Sequence, residues 1–355
     1  MSSSYRINLV PGDGIGREVI PEGVKVLDVM AAQHGFGLKY GDFPYSCQYR
    51  AEHGRMMPED GIDRLSECDA IYLGAVGYPG VLDHVSLWEL LIPIRREFHQ
   101  YVSLRPVKLL PGIRSPLVGR TAEDINFVVV RENNEGEYSE IGGRSYRGTD
   151  METATQLSVF SRYGVDRILR YAFELARTRP RKHLTSATKS NGIVHTFPFW
   201  DERFALMKGE YPDISTDQFH IDILCAQFVQ HPDWFDVVVG SNLFGDILSD
   251  LGPAVAGSIG IAPSANLNPE RQFPSMFEPV HGSAPDIEGK ELANPIASFW
   301  AAVLMLEFLG EAEAGARLMG AIEKVTGEGK VLTPDLGGTA KTNDVTKAVI
   351  AAIGS

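Results

Sequence analysis

Three observations predict an α/β fold whose sheet is closed by crossover connections. Short β-branched runs bounded by glycine or proline, such as Phe235-Asp236-Val237-Val238-Val239, read as buried strands. Helix-like stretches alternate with these runs along the chain. With 355 residues, 44% hydrophobic and 22% charged, the chain has room for two domains and a large core.

Taken in order, Arg6 to Val10 is a strand, and Pro11-Gly12-Asp13-Gly14-Ile15-Gly16 is a tight turn into a helix running to about Gly35. That turn is not a dinucleotide fingerprint, because Arg17 stands where the third glycine belongs, and it lacks the Gly-Lys-Ser/Thr of a P-loop. Ala70 to Val76 reads as a second strand, followed by a helix from about Val85 to Tyr101. Ile125 to Val130 is a strand that runs out into Arg131-Glu132-Asn133-Asn134-Glu135-Gly136-Glu137-Tyr138. Ser139 to Asp150 reads as a loop or hairpin that reaches a partner subunit, and a long helix follows from about Ser158 to Arg179. The strand from His183 to Asn191 presents Lys189 near its end. Phe277 to Ile287 is a polar, proline-containing loop suited to cradling a dinucleotide. Ala297 to Leu309, interrupted by Glu307, is too short for a membrane span and reads as a core or interface helix. A glycine-rich loop from Asp335 to Val345 precedes the last helix.

A formal net charge of −13 argues against a nucleic-acid backbone or an anionic membrane as partner. An anionic ligand therefore needs a local cluster of arginine and lysine. Cys47, Cys68 and Cys225 are odd in number and lack metal-ligand spacing, so they read as core thiols in a reducing compartment. MSSSYRINLV has no basic and apolar leader pattern, and a cytoplasmic location is expected.

The residues that point to chemistry begin with Asp246 and Asp250, four apart in GSNLFGDILSD. On a helix these carboxylates share a face and repel, and a hard divalent cation turns that repulsion into coordination. Solvated surface acids are the common alternative for such a pair. Arg95, Arg105 and Arg131 fall near the ends of core elements, where guanidinium forks can clamp a substrate with more than one carboxylate. Lys189 beside small polar residues is a candidate proton carrier, with a plain surface lysine as the alternative. Asp286 is placed to accept from a ribose diol and to repel a 2′-phosphate.

In this order, LVPGDGIG, the Arg95/Arg105/Arg131 trio, NNEGEYS, TKSN, NLFGDILSD, EPVHGSAPDI and Ala293-Asn294-Pro295 resemble the metal-dependent β-decarboxylating 2-hydroxy-acid dehydrogenases. These are the isocitrate, isopropylmalate, homoisocitrate, D-malate and tartrate dehydrogenases, and the similarity covers nearly the whole chain. The resemblance implies a two-domain, isopropylmalate-dehydrogenase-like α/β fold distinct from the Rossmann fold, with the active site in the interdomain cleft. Residues 1–104 and 260–355 would form the large domain. Residues 105–259 would form the small one, through which a homodimer assembles.

By position, the resemblance implies that Arg95, Arg105 and Arg131 hold substrate carboxylates and that Asp222, Asp246 and Asp250 hold Mn²⁺ or Mg²⁺. Tyr138 and Lys189 would be the acid–base pair, and Lys189 and Asp222 would come from the neighbouring subunit, so that active sites are shared. Ile15, Glu278, His281, Gly282, Ser283, Ala284, Asp286, Ile287 and Asn294 would bind the cofactor. Asp286-Ile287 resembles the NAD-using branch rather than the Lys-Tyr of the NADP branch, and potassium is a further candidate ion. Substrate choice rests on the stretch before Arg95. Glu89 and Leu91 stand where isocitrate enzymes carry Ser and Asn, so isocitrate is disfavoured; Leu91 and Ile92 keep 3-isopropylmalate open; Trp88 is expected to narrow the pocket for a four-carbon diacid. Tartrate and D-malate dehydrogenases are therefore the expected relatives. The alternatives are an isopropylmalate enzyme and a catalytically silent regulatory subunit.

Overall fold

The computed structural model describes residues 3–354; Met1 and Ser2, which open the N-terminal stretch read above, and Ser355 lie outside the described residues. The strands are β1 Ser4–Gly12, β2 Gly37–Asp42, β3 Ala70–Ala75, β4 Val102–Lys108, β5 Asn126–Glu132, β6 Gly142–Ser145, β7 Thr153–Gln156, β8 His183–Thr188, β9 Ser215–His220, β10 Val237–Gly240, β11 Pro263–Leu267 and β12 Ser275–Pro279. Ten of them form one sheet in the order β2-β1-β3-β12-β11-β4-β5-β10-β8-β9. β2, β1, β3 and β12 are mutually parallel, as are β5, β10, β8 and β9. Antiparallel pairings of β12 with β11, β11 with β4 and β4 with β5 join the two groups and reverse their direction. The α/β expectation thus holds, with a sheet of two opposed parallel halves. β3 and β10 are buried at every position because helices cover both faces, which explains why they lack polar alternation. The expected boundary after residue 104 falls inside β4, so the chain passes between halves along a strand rather than a linker.

Several elements depart from their sequence reading for local reasons. The long helix begins at Arg162 rather than near Ser158, because Val159 pairs with Gly136 and Ser161 caps the helix by accepting from the Gly164 amide. The expected continuous helix from Val85 to Tyr101 is broken into three pieces and ends at Glu97. Its centre, Leu87–Leu91, is a π turn in which the Ile92 amide donates five residues back to Leu87. Pro93 has no amide to offer the Glu89 carbonyl, so the widened turn falls where the α-helical ladder is already interrupted. The polar loop expected from Phe277 starts only after Pro279, since β12 contains Phe277 and Glu278. Ser139 to Asp150 opens the β6–β7 hairpin, exposed at every strand position. Cys47 is buried as expected, whereas Cys68 and Cys225 are only partly so. No helix among the described residues is long and apolar enough to cross a membrane.

Candidate active site

The glycine-rich turn after β1 is a packing device. Gly14 has a φ of +52°, and a Cβ there would lie 2.0 Å from the Ser283 carbonyl oxygen, which accepts from the Ile15 amide at 2.8 Å. Asp13, which carried no role in the sequence reading, is buried and accepts from the amides of Cys47 and Gly77, both at 3.0 Å. The turn therefore seats Ile15 in an apolar cluster with Val19 and Ala293, with Ala284 and Ile287 packed against it. Asp286 is exposed beside that cluster. Asn294 is nearly buried and donates to Asp335 at 3.0 Å. Burial lowers the pKa of His281 and so favours the neutral ring, whose Nε2 is buried without a partner.

Across from this turn lies a cleft of about 210 Å³. Arg95, Arg105, Arg131, Tyr138 and Asp246 converge on it, together with Glu278, His281, Gly282 and the leucines Leu87 and Leu91. The arginine trio is thus brought together from the Ile92–Glu97 helix, β4 and β5. Arg95 pairs with Glu278 at 3.1 Å, and Glu278 also accepts from Asn266 at 2.7 Å. Arg131 is completely enclosed and donates to the Asn242 side chain at 3.0 and 2.6 Å and to Asp246. The Asn242–Val255 helix comes this close to β5 only because residue 245 is glycine; a Cβ there would lie 2.5 Å from the Arg131 Cβ. Arg105 donates to Ser249 at 2.6 Å and lies 3.5 Å from Asp246 and 3.8 Å from Asp250. The Nε of Arg95 and of Arg105 is buried with no acceptor. Two enclosed donors left over beside a cleft call for an anionic ligand.

Asp246 and Asp250 share one helix face, as their spacing predicts, and Arg105 sits beside both. Burial alone would raise the Asp246 pKa, but the Arg131 and Arg105 guanidiniums and the hydroxyl of Tyr138 outweigh it and hold the carboxyl below its ordinary range. For Asp250, burial outweighs Arg105 and the pKa is raised, with the Asp246 charge adding to the shift. Tyr138 donates to Asp246 at 2.8 Å, and its ring lies 5.4 Å from the Arg131 guanidinium. Burial, followed by the Asp246 charge, raises the Tyr138 pKa, so the phenol keeps its proton at neutral pH.

Lys189 and Asp222 do not line this cleft. They meet each other at 2.6 Å, with side chains 28% and 67% exposed. The lysine's donated hydrogen bond holds the Asp222 carboxyl below its ordinary range. They stand at the C-terminal ends of β8 and β9, whereas Arg131 lies near the end of β5 at the same edge of the same parallel group. Strand spacing puts them roughly 10 to 15 Å to the side. Among the described residues, no three acidic, histidine or cysteine side chains gather to hold a metal. Asp246 and Asp250 offer the carboxylate oxygens that Mg²⁺ or Mn²⁺ prefers, but two carboxylates are an incomplete protein cage. The donor set therefore fits a hard divalent ion when further oxygen ligands come from substrate, water or a second chain.

The π turn decides which side chains reach the cleft. Leu87 and Leu91 line it, and the sequence reading had missed Leu87. Trp88 is not in the lining; the guanidinium of Arg96 stacks 4.9 Å above its ring. Glu89 turns toward Arg50, which donates to it at 3.0 and 3.3 Å, so the argument that Glu89 repels a third carboxylate loses its basis. The loop before Tyr138 is built by acids that sequence reasoning left without a role. Glu137 accepts from Ser241 at 2.7 Å and from the Leu243 amide at 3.0 Å, at the start of the helix that carries both aspartates. Glu135 accepts from the Ser161 amide at 2.9 Å, at the start of the Arg162–Thr178 helix.

Known proteins give the same picture. A model of the isocitrate/isopropylmalate dehydrogenase family matches residues 6–349. The chain is 58% identical to D-malate dehydrogenase [decarboxylating] of Escherichia coli (strain K12), over 98% of each chain. It is also 58% identical to tartrate dehydrogenase/decarboxylase of Pseudomonas putida, over 98% of this chain and 97% of that protein. The crystal structure of isocitrate dehydrogenase from Methylococcus capsulatus superposes with a TM-score of 0.89 at 32% identity, covering 99% of this chain and all of that one. Convergence of the arginine trio, Asp246 and Tyr138 on one cleft, with a family match spanning nearly the full length, means that this chain belongs to the isocitrate/isopropylmalate dehydrogenase family.

Proposed function

We propose that the protein oxidises a four-carbon 2-hydroxy diacid, D-malate or tartrate, using NAD and Mn²⁺ or Mg²⁺, and that it converts D-malate to pyruvate and CO₂. The observation that carries this reading is the pair of unpartnered, buried Nε donors of Arg95 and Arg105 beside the Asp246–Asp250 pair. The two relatives at 58% identity, a D-malate dehydrogenase and a tartrate dehydrogenase/decarboxylase, support this substrate class. Residues 1–104 with 260–355, and 105–259, would be the two domains flanking the cleft.

In this reading the arginines hold the two carboxylates of the substrate. Asp246 and Asp250, with Asp222 of a second chain, would hold the divalent ion, and the cluster of Ile15, Ala284 and Ile287 with Asp286 would hold the adenosine of NAD. When bound, the ion supplies Lewis-acid polarisation of the hydroxyl and then the carbonyl oxygen, and the nicotinamide supplies the hydride acceptor. Lys189 of the second chain takes the hydroxyl proton through a water. The carboxylate borne by C3, the carbon next to the new carbonyl, then leaves as CO₂. Tyr138, still protonated, then delivers a proton to the carbon that CO₂ vacates. A homodimer is supported by exposed apolar side chains on the two adjacent helices Ile221–Gln230 and Asn242–Val255, among them Ile223, Val229, Leu243 and Ile247.

A panel of D-malate, L-tartrate, meso-tartrate, 3-isopropylmalate and isocitrate with NAD and Mn²⁺ tests the proposal. D-malate or a tartrate should give the highest kcat/KM, and a chelator should abolish turnover. The lining by Leu87 and Leu91 favours 3-isopropylmalate as the second reading, and its winning by orders of magnitude would overturn the first. An apolar pocket separates such substrates by only about 1–3 kcal/mol, so activity on more than one is expected.

A further inference from the structure

We propose that Arg96 is a positioning residue for Tyr138: it ties the helix carrying Arg95 to the loop carrying Tyr138 and so keeps decarboxylation coupled to protonation of the product. The inference rests on the reaction proposed above. Arg95 and Arg96 are consecutive on the Ile92–Glu97 helix and therefore point in directions about 100° apart. Arg95 enters the cleft. Arg96 instead donates from Nη2 to the backbone carbonyl of Tyr138 at 3.0 Å and from Nη1 to Glu140 at 2.8 Å.

Tyr138 is thus gripped at both ends, its carbonyl by Arg96 and its hydroxyl by Asp246 at 2.8 Å. The two grips do different things. The Asp246 contact sets where the acidic proton points, while the Arg96 contact sets where the whole residue stands relative to the helix bearing a substrate arginine. Of the Arg96 contacts, the pair with Glu140 counts for little, because Glu140 is 69% exposed. The charge-assisted bond to the carbonyl is the stronger and more directional restraint. Trp88 completes the device: its ring lies 4.9 Å beneath the Arg96 guanidinium, limiting the conformations of a long side chain that would otherwise wander. Because Trp88 does not line the cleft, its influence on the reaction runs through Arg96.

The proton balance shows what Tyr138 must do on time. Oxidation of D-malate breaks the C2–H and O–H bonds, sending a hydride to NAD and a proton to the base. Loss of CO₂ leaves its bonding electron pair on C3 as an enolate, and one proton must return to C3 to give pyruvate. Until that proton arrives CO₂ loss is reversible, so with Tyr138 displaced the enolate recaptures CO₂ and the keto diacid it regenerates has time to dissociate.

The test uses the full-length enzyme with D-malate, NAD and Mn²⁺, measuring NADH, pyruvate and oxaloacetate in the same quenched samples. Wild type should yield one pyruvate per NADH. In Arg96→Met, pyruvate formation should fall about 10- to 100-fold, NADH formation should fall less, and oxaloacetate should account for the difference. Arg96→Lys, which keeps a donor, should restore most of the coupling, and Trp88→Leu should reproduce the defect at smaller size. A merely structural role would lower NADH and pyruvate together. Coupling that stays at one pyruvate per NADH in Arg96→Met and Trp88→Leu overturns the inference alone. Wild type that forms no NADH from any diacid overturns the functional reading and this inference with it.

Discussion

The arginine–aspartate knot in the cleft and the Lys189–Asp222 pair use the same kinds of residue and differ in their company. In the knot, Arg131 is enclosed by Asn242 and Asp246, Arg105 serves both Asp246 and Asp250, and Tyr138 closes on Asp246. Each charge has a compensating neighbour, so one chain holds that geometry by itself. Lys189 and Asp222 have each other, at a surface where solvent screens the attraction. In the proposed reaction these two groups reach the substrate only when another surface comes to them, and the difference would then separate what one chain builds alone from what needs a second.

The largest expected effect tests that separation directly. Lys189→Met and Asp246→Asn should each lower kcat about 10²- to 10⁴-fold as homodimers. Mixed and reassociated, they should regain roughly one quarter of wild-type activity, since half the dimers are mixed and each has one site with both partners intact. No recovery would mean that each chain completes its own site. Next in size is stability. Arg131→Met should destabilise the chain by about 2–4 kcal/mol in urea titration, at the lower side for a buried ion pair because Asp246 remains 34% exposed. Lys189→Met should stay within about 0.5 kcal/mol.

A third effect probes how far the knot's enclosure reaches. Glu132, directly after Arg131, is fully buried, and burial raises its pKa from 4.5 to about 7 despite the bonds it accepts from the Asn134 and Glu135 amides. A folded-state pKa above the unfolded value favours the protonated form in the fold. Its contribution is therefore complete below about pH 4.5 and lost as pH rises through about 7. Relative to Glu132→Gln, wild type should lose roughly 2–3 kcal/mol of stability between pH 5 and pH 8, and parallel urea midpoints across that range would remove the claim. The smallest effect is a near-absence. Glu89→Gln should leave the ratio of kcat/KM for isocitrate and D-malate within about twofold, because the side chain faces Arg50 as a partly exposed pair. A tenfold gain for isocitrate would return Glu89 to the specificity pocket.

Much of this was legible in the residues. Glycine-bounded apolar runs gave β3 and β10, and the i,i+4 spacing placed Asp246 and Asp250 on one helix face. The arginine trio could be suspected because each residue sits near the end of a core element. What escaped was set by contacts remote in sequence. Nothing local in SLWELLIPI distinguishes Leu87 from Trp88; the π turn decides, and only Pro93 hinted at an interruption. Asp13 carried no role in the sequence because its amide partners, Cys47 and Gly77, come from elsewhere. Glu135 and Glu137 read as a polar stretch because the helix ends they cap lie about 25 and 105 residues downstream.

The reversal in the middle of the sheet also bears on how the chain acquires its shape. All four strands of the β5-β10-β8-β9 half lie between residues 126 and 240, whereas β3 receives its second neighbour only when β12, some 200 residues later, exists. Emerging from a ribosome, the central segment can mature early, while the opening hundred residues wait with an unsatisfied strand edge until the chain is three-quarters made. Nascent-chain aggregation should therefore originate in that waiting segment.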